Sequence, residues 1–275
     1  MELLASGTLR KLKSRLDSPV SYSLPLGDQD IPLNAMLQST VRLHFSGQIN
    51  CTHCGRYTNK SFSQGYCYPC FQKLAQCDSC IIHPEKCHYD QGTCREPEWG
   101  EEFCMQDHIV YLANSSGVKV GITRATQVPT RWIDQGAVQA LAIMRVRSRL
   151  QCGSLEVLLK QHVSDKTNWR DMLMGCDHHT DLLAEKKRLL NECQSDIDDL
   201  HQRFGFHAIS VLSGIEPVQI DYPIIAYPSK VSSFNFDTDP TVEGVLTGIK
   251  GQYLIFDTGV INMRRFSGYN IEFFA

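Results

Sequence analysis

Ile109-Val110-Tyr111-Leu112-Ala113-Asn114-Ser115-Ser116-Gly117-Val118-Lys119-Val120-Gly121 is the stretch on which the fold turns. Two apolar runs flank an Asn-Ser-Ser-Gly turn, the signature of a strand-turn-strand hairpin. Downstream, Arg124-Ala125-Thr126-Gln127-Val128-Pro129-Thr130-Arg131-Trp132-Ile133-Asp134-Gln135-Gly136-Ala137 reads as a short helix, with Pro129 in its first turn and Gly136 at its end. Gly153 to His162 reads as a second helix, whose Leu155, Leu158 and Leu159 face a core while Glu156 falls off that stripe. From Asp177 to Phe204 the residues Leu182, Leu183, Leu189, Leu190, Ile197 and Leu200 recur at helical spacing, which predicts one long helix stopped by Gly205. Residues 105–204 are therefore expected to form a small α/β domain ending in that helix.

Upstream, residues 51–104 hold nine of the twelve cysteines and form a separate cysteine-rich module. Cys51-Thr52-His53-Cys54 is followed after twelve residues by Cys67-Tyr68-Pro69-Cys70. Each pair bends the chain into a knuckle presenting two thiolates, and two knuckles complete a tetrahedral Zn²⁺ site of the ribbon type. Four thiolates leave no open position for a reacting water, so the expected role is structural. A second Zn²⁺ site is expected among Cys77, Cys80, Cys87, Cys94, Cys104 and His108; spacing pairs the Cys77/Cys80 knuckle equally well with Cys87 and Cys94 or with Cys104 and His108. Tyr68 and Phe71, beside the knuckle, are read as packing over the metal ahead of stacking on a base, and Cys152, Cys176 and Cys193 as small core residues.

Residues 1–50 and 205–275 read as β segments. Val20 to Leu24 and Thr40 to Phe45 alternate in the first; Tyr222 to Pro228 and the hairpin Gly244 to Gly259 mark the second. Pairing the two ends in one sheet or barrel would remove exposed strand edges. The expected fold class is α+β: a zinc-ribbon module, a small α/β domain, and terminal strands that close on each other.

The chain has 275 residues, 42% apolar and 21% charged, which suits a globular protein of two or three compact units. Its apolar runs are too short to span a bilayer, so no membrane partner is expected. The opening Met1-Glu2-Leu3-Leu4-Ala5-Ser6-Gly7 has no basic region leading into an apolar core, which points to the reducing cytoplasm and to metal rather than disulfides. A net charge of −3 hides a basic stretch from Lys119 to Arg170, where nine basic residues face Asp134, Glu156 and Asp165. A local positive field of that kind holds polyanions.

Tyr111, Lys119-Val120-Gly121, Arg131, Glu156 and Asn168, in that order on a hairpin and two helices, resemble the GIY-YIG nuclease signature over about residues 108–172. The resemblance implies a metal-dependent phosphodiester hydrolase acting on DNA or RNA. It assigns Tyr111 to deprotonating or orienting the attacking water, Arg131 to phosphate charge, Glu156 to a single Mg²⁺ or Mn²⁺, and Asn168 to the phosphate or the active-site loop. Ile109 stands where the family has its first glycine, and Lys119 where it usually has tyrosine. Lys119 is expected to lower the phenol pKa of Tyr111 or to touch phosphate. Arg124, Arg131, Lys166 and Arg170 are the expected nucleic-acid contacts, with Thr123 and His162 as secondary site candidates. Nearly the whole chain is also similar to a bacterial and archaeal family, with no assigned activity, that joins zinc-binding cysteines to a GIY-YIG-like domain. The alternatives to a nuclease are a non-cleaving nucleic-acid adaptor and, behind both, a protein-interaction module.

Overall fold

A computed structural model describes residues 1–163, 168–176 and 180–275. In chain order the strands and helices are β1 (Leu3–Thr8), β2 (Lys13–Arg15), β3 (Ser21–Leu26), β4 (Gln29–Pro32), β5 (Thr40–Ile49), α1 (Tyr68–Lys73), α2 (Pro97–Cys104), β6 (His108–Asn114), β7 (Val118–Arg124), α3 (Thr130–Asp134), β8 (Gln139–Val146), α4 (Arg149–Leu159), α5 (Trp169–Leu173), α6 (Leu182–Glu192), α7 (Gln194–Phe204), β9 (Ile209–Val211), β10 (Val218–Gln219), β11 (Thr241–Lys250), β12 (Tyr253–Phe256), β13 (Val260–Asn262) and β14 (Tyr269–Phe274).

The hairpin forms as expected: β6 pairs antiparallel with β7, and its other edge takes β8, which carries β10 and β9 in turn. All seven residues of β6 are buried. Ile109, Tyr111 and Ala113 face one apolar core, and Val110 and Leu112 face a second, shared with Leu141, Leu155, Leu159, Leu189 and Ile197. Burial on both faces is why β6 reads as a continuous apolar run rather than an alternating one.

The two ends of the chain share a second sheet of order β1-β14-β5-β11-β12-β13. Strand β5 sits between β14 and β11, so the N-terminal strand is the seam that joins two C-terminal ones. The sheet stays open, with β1 at one edge and the three-residue β13 at the other, so the barrel alternative is not realised. A small sheet of β2, β3 and β4 adds Leu24, Leu26 and Ile31 to the core beneath it. Trp132 and Ile133 of α3 enter the same core as Tyr111 and Phe273, so α3 is held between the two large sheets.

Several local expectations need correction. The helical periodicity after Thr180 is divided into α6 and α7 at the buried Cys193, and the expected start at Asp177 lies outside the described residues. The break lets α6 lie on β6 and β8 while α7 packs on α4, which one straight rod would not reach. Residues 222–228 form one isolated bridge, Ile224 to Gly248, in otherwise irregular chain instead of a strand, because Pro223 and Pro228 remove ladder donors. The Glu156 helix begins earlier than expected, at Arg149, where the Ser148 side chain accepts from the Gln151 N–H as N-cap. Cys152 and Cys193 are buried as expected, whereas Cys176 is exposed. Among the described residues, no helix is long and apolar enough to cross a membrane.

Candidate metal centre and active-site cleft

The two CxxC knuckles converge. Cys51 lies two residues past the end of β5, Cys54 lies in the turn after it, Cys67 precedes α1 and Cys70 lies within α1. Their four sulfurs all lie within 4.8 Å of one another, and Cys54 Sγ is 3.8 Å from Cys67 Sγ. A tetrahedron with Zn–S near 2.3 Å has edges of about 3.8 Å, so the donor set fits one zinc ion. Burial pushes the Cys51 thiol up, but the backbone N–H groups of Cys54, Cys67 and His53 overcome it and hold the group at about 6, favouring thiolate. Phe71 stacks on Phe62, and Phe62 also meets Tyr68, so these aromatics pack beside the knuckle.

The remaining cysteines separate. Cys77 interacts with the Ser63 side chain and does not line the cavity that Cys80 shares. Cys80, Cys87, Cys94 and Cys104 line one small enclosed cavity together with Asp78 and His88. His108 faces the large cleft beyond; burial lowers its pKa to about 4, and its Nδ1 lies 2.7 Å from the Gln106 carbonyl.

That cleft has a volume of about 1010 Å³. Lys119, Gly121, Thr123 and Arg124 of β7, Arg131, Asp134 and Gln135 at α3, and Arg149, Glu156 and Lys160 at α4 form one side. Thr52, Ser63, Gln64, Tyr66, Ile81 and Ile82 of the cysteine module, with Arg10, Lys11 and Arg264 from the chain ends, form the other. Eight Lys or Arg side chains thus line it against two carboxylates. Burial, with Arg131 nearby, pulls the Arg264 guanidinium below its ordinary pKa, and its Nε donates to Gln64 Oε1 at 2.6 Å. Neither Arg131 nor Arg264 forms an ion pair among the described residues. A crowded, underneutralised set of guanidiniums is a site for an anion.

Tyr111 forms part of the cleft's support from below. Residues 119, 121 and 123 pair with 113, 111 and 109, so Lys119 and Thr123 project from the face that carries Tyr111. A Cβ on Gly121 would stand 2.5 Å from Tyr111 Cζ, so only glycine lets the ring lie across β7. The Tyr111 hydroxyl is 2.9 Å from the Gln135 side-chain amide; with the amide nitrogen toward the phenol, its oxygen accepts from Arg131 Nε and Nη2 at 3.2 Å. Gln135 is one helical turn past Arg131 and ties the two together. Burial raises the Tyr111 pKa to about 12, and Arg131 opposes that shift. The cation that acts on this phenol is therefore Arg131; Lys119 does not bring it into the neutral range.

Asp134 accepts from Lys11 Nζ and from Gln252 Nε2, both at 2.8 Å, and is 4% exposed. Tyr222 Oη donates to the Ala137 carbonyl at 2.8 Å. These contacts fix α3, and with it Arg131, to the terminal sheet. Helix α4 is fixed to the cysteine module instead: a Cβ on Gly153 would stand 2.3 Å from the Glu85 nitrogen, and Arg149 donates to the carbonyls of Cys80 and Ile81 at 3.2 and 2.6 Å. Glu156 opens into the cleft, 16% exposed, with Lys160 Nζ 3.4 Å away. It is one accessible hard-oxygen donor, which fits an ion that takes one or two carboxylates and completes its shell with water and phosphate oxygens.

The structure brings Lys119, Arg124, Arg131 and Glu156 to the cleft, whereas Tyr111 is fully buried and does not line it, reaching Arg131 only through Gln135. Asn168 is not brought there: it caps α5, accepting from the Arg170 N–H at 3.1 Å and donating to Asp171 at 2.7 Å. Arg170 lies over the Trp169 ring, and Trp169 stacks on Tyr253 of the terminal sheet. His162 sits 3.4 Å from Glu192, away from the cleft lining, and Lys166 lies outside the described residues. The sequence reading missed Arg10, Lys11, Gln64, Gln135, Arg149 and Arg264. Of these only Gln135 carries a local signal, its four-residue step from Arg131.

No curated protein and no solved structure matches the chain. The family model described as "Protein of unknown function (DUF2797)" matches residues 38–271, a span that runs from just before β5 through the cysteine module and cleft into β14. The chain belongs to that family.

Proposed function

We propose that the cleft binds DNA or RNA and hydrolyses a phosphodiester bond with one divalent ion, Mg²⁺ or Mn²⁺, held at Glu156. The observation that carries this reading is the convergence of Arg131 and Glu156 on a cleft lined by eight cationic side chains, with the buried Tyr111 tied to Arg131 through Gln135. When bound, the ion supplies Lewis-acid stabilisation of a non-bridging or leaving oxygen. Arg131, held by Gln135, meets the charge that develops on phosphorus, with Arg264 facing it as a further anion contact. Tyr111, pushed up to about 12, stays protonated at neutral pH and, through Gln135, positions Arg131 instead of taking the nucleophile's proton. Lys119 contacts phosphate from the same face. A zinc ion held by Cys51, Cys54, Cys67 and Cys70 would brace the opposite wall.

The test is a panel of labelled single-stranded, duplex and branched DNA and RNA, incubated with zinc-loaded protein and Mg²⁺ or Mn²⁺ beside Glu156→Gln. Cleavage that falls on the order of 10²- to 10³-fold in the variant supports the proposal. Salt-dependent binding by both proteins without cleavage by either turns the reading to a nucleic-acid adaptor. Absence of binding overturns it.

A further inference from the structure

The small cavity behind the cleft holds more metal-binding chemistry than one zinc site uses. Its lining includes Cys80, Cys87, Cys94, Cys104, His88 and Asp78, and it has room for one water-sized sphere, about 10 Å³. Cys80, Cys87 and Cys104 face this cavity from three separate segments: the turn Ser79–Ile81, the residue after the turn Pro84–Lys86, and the end of helix α2; Cys87 interacts with both other thiols. The ligand atoms of Cys80, His88 and Asp78 lie within 4.8 Å of one another. His88 Nδ1 is 2.7 Å from Thr93 Oγ1. With Nδ1 donating to that hydroxyl, Nε2 keeps its lone pair for a metal, the arrangement common around metal-bound histidine.

The neighbouring candidates are committed elsewhere. Asp78 pairs with Arg95 at 2.7 Å and accepts from Ser79 Oγ at 3.1 Å, and its Oδ2 lies 3.6 Å from His88 Nε2, at the edge of the metal position. Cys94 Sγ points to the Glu96 carbonyl, 3.5 Å away, and Cys77 faces Ser63. His108 lines the cleft and not this cavity.

We propose that Cys80, Cys87, Cys104 and His88 form a second, structural zinc site, and that this ion braces helix α4 against the cysteine module. The bracing follows from where the ligands sit. The segment from Cys80 to Cys87 supplies two thiolates, and it also supplies the Pro84–Glu85 backbone that meets Gly153 and the Cys80 and Ile81 carbonyls that hold Arg149. Without an ion the turn has no apolar core of its own to keep it in place; binding displaces the thiol protons and ties the turn to α2. Zinc at this site thereby sets the position of the α4 backbone, independently of whether Glu156 serves a nuclease.

The experiment is metal stoichiometry with hydrogen exchange, neither of which requires nucleic acid. The proposal expects two zinc ions per chain in the wild type, one in Cys87→Ser, one in Cys54→Ser and two in Cys77→Ser, with His88→Asn weakening the second ion. It also expects faster exchange across Arg149–Leu159 in Cys87→Ser and unchanged exchange there in Cys77→Ser. Titration of the wild-type apoprotein with Co²⁺ covers the case of variants that do not fold: thiolate charge-transfer absorption should rise to two equivalents. A plateau at one equivalent, or two zinc ions retained by Cys87→Ser, overturns the site. Loss of the second ion through His108→Asn but not His88→Asn overturns the ligand assignment, and unchanged α4 exchange in metal-depleted Cys87→Ser overturns the bracing.

Discussion

The cysteine module and the β6–β8 sheet form facing walls of one cleft, yet they are held by different physics. Every residue of β6 is buried, and its two faces feed two apolar cores. No residue from 51 to 107 belongs to any of the three apolar clusters; that module is a succession of 3-10 turns, two short helices and inward-facing thiols. A sheet buried on both sides draws its stability from area removed from water. A loop-rich module of this length, with four thiols placed to hold one zinc ion, would draw it from metal–thiolate bonds. The cleft therefore has one wall that should answer to apolar truncation and another that should answer to chelation.

Metal removal is the sharpest way to test that contrast. Cys54→Ser, or chelator treatment of the wild type, should open residues 51–104 to limited proteolysis while fragments containing β6 to β8 stay protected. Equal protease resistance with and without metal would break the comparison. Leu112→Ala should do the opposite. Leu112 is fully buried in the core shared with α4, so its truncation should cost about 2–5 kcal/mol in urea unfolding with zinc content unchanged. A variant that loses zinc as readily as it loses stability would show that the walls are one cooperative unit.

The smallest expected effect concerns Tyr111 and sharpens the picture of its wall. Its folded pKa, about 12, stands above the ordinary tyrosine value, so the neutral phenol contributes stability that is fully present below about pH 10 and is lost as pH rises toward 12. Relative to Tyr111→Phe, the wild type should lose roughly 2 kcal/mol between pH 9 and 12. A pH-independent difference would mean that the phenol is more solvated than its burial implies.

Much of the scaffold was legible because it is local. An apolar run interrupted by Asn-Ser-Ser-Gly is a hairpin wherever it occurs, and two CxxC pairs twelve residues apart have few other uses. Gly121 acquires its reason only from the ring of Tyr111 across the ladder, although both belong to the motif that marked the hairpin. The terminal strands were expected to find each other, but that β5 lies between β14 and β11 was not, since several registers satisfy the same alternation. Asn168 fits the expected spacing after Glu156, yet its side chain caps α5 because an Asn before a helix satisfies free N–H groups.

The sequence by itself determined the hairpin, the four-thiolate centre, the helical placement of Glu156 and the basic character of the central segment. Each depends on residues a few positions apart on one element, where backbone geometry alone sets what faces what. Only the tertiary structure decided that Arg10, Lys11, Gln64 and Arg264 complete the cleft, that Gln135 joins Tyr111 to Arg131, and that Cys77 leaves the cluster that Cys80, Cys87 and Cys104 share. Those meetings depend on how the terminal sheet, α3 and the cysteine module pack against one another, and packing between distant segments leaves no periodicity in the chain to be read.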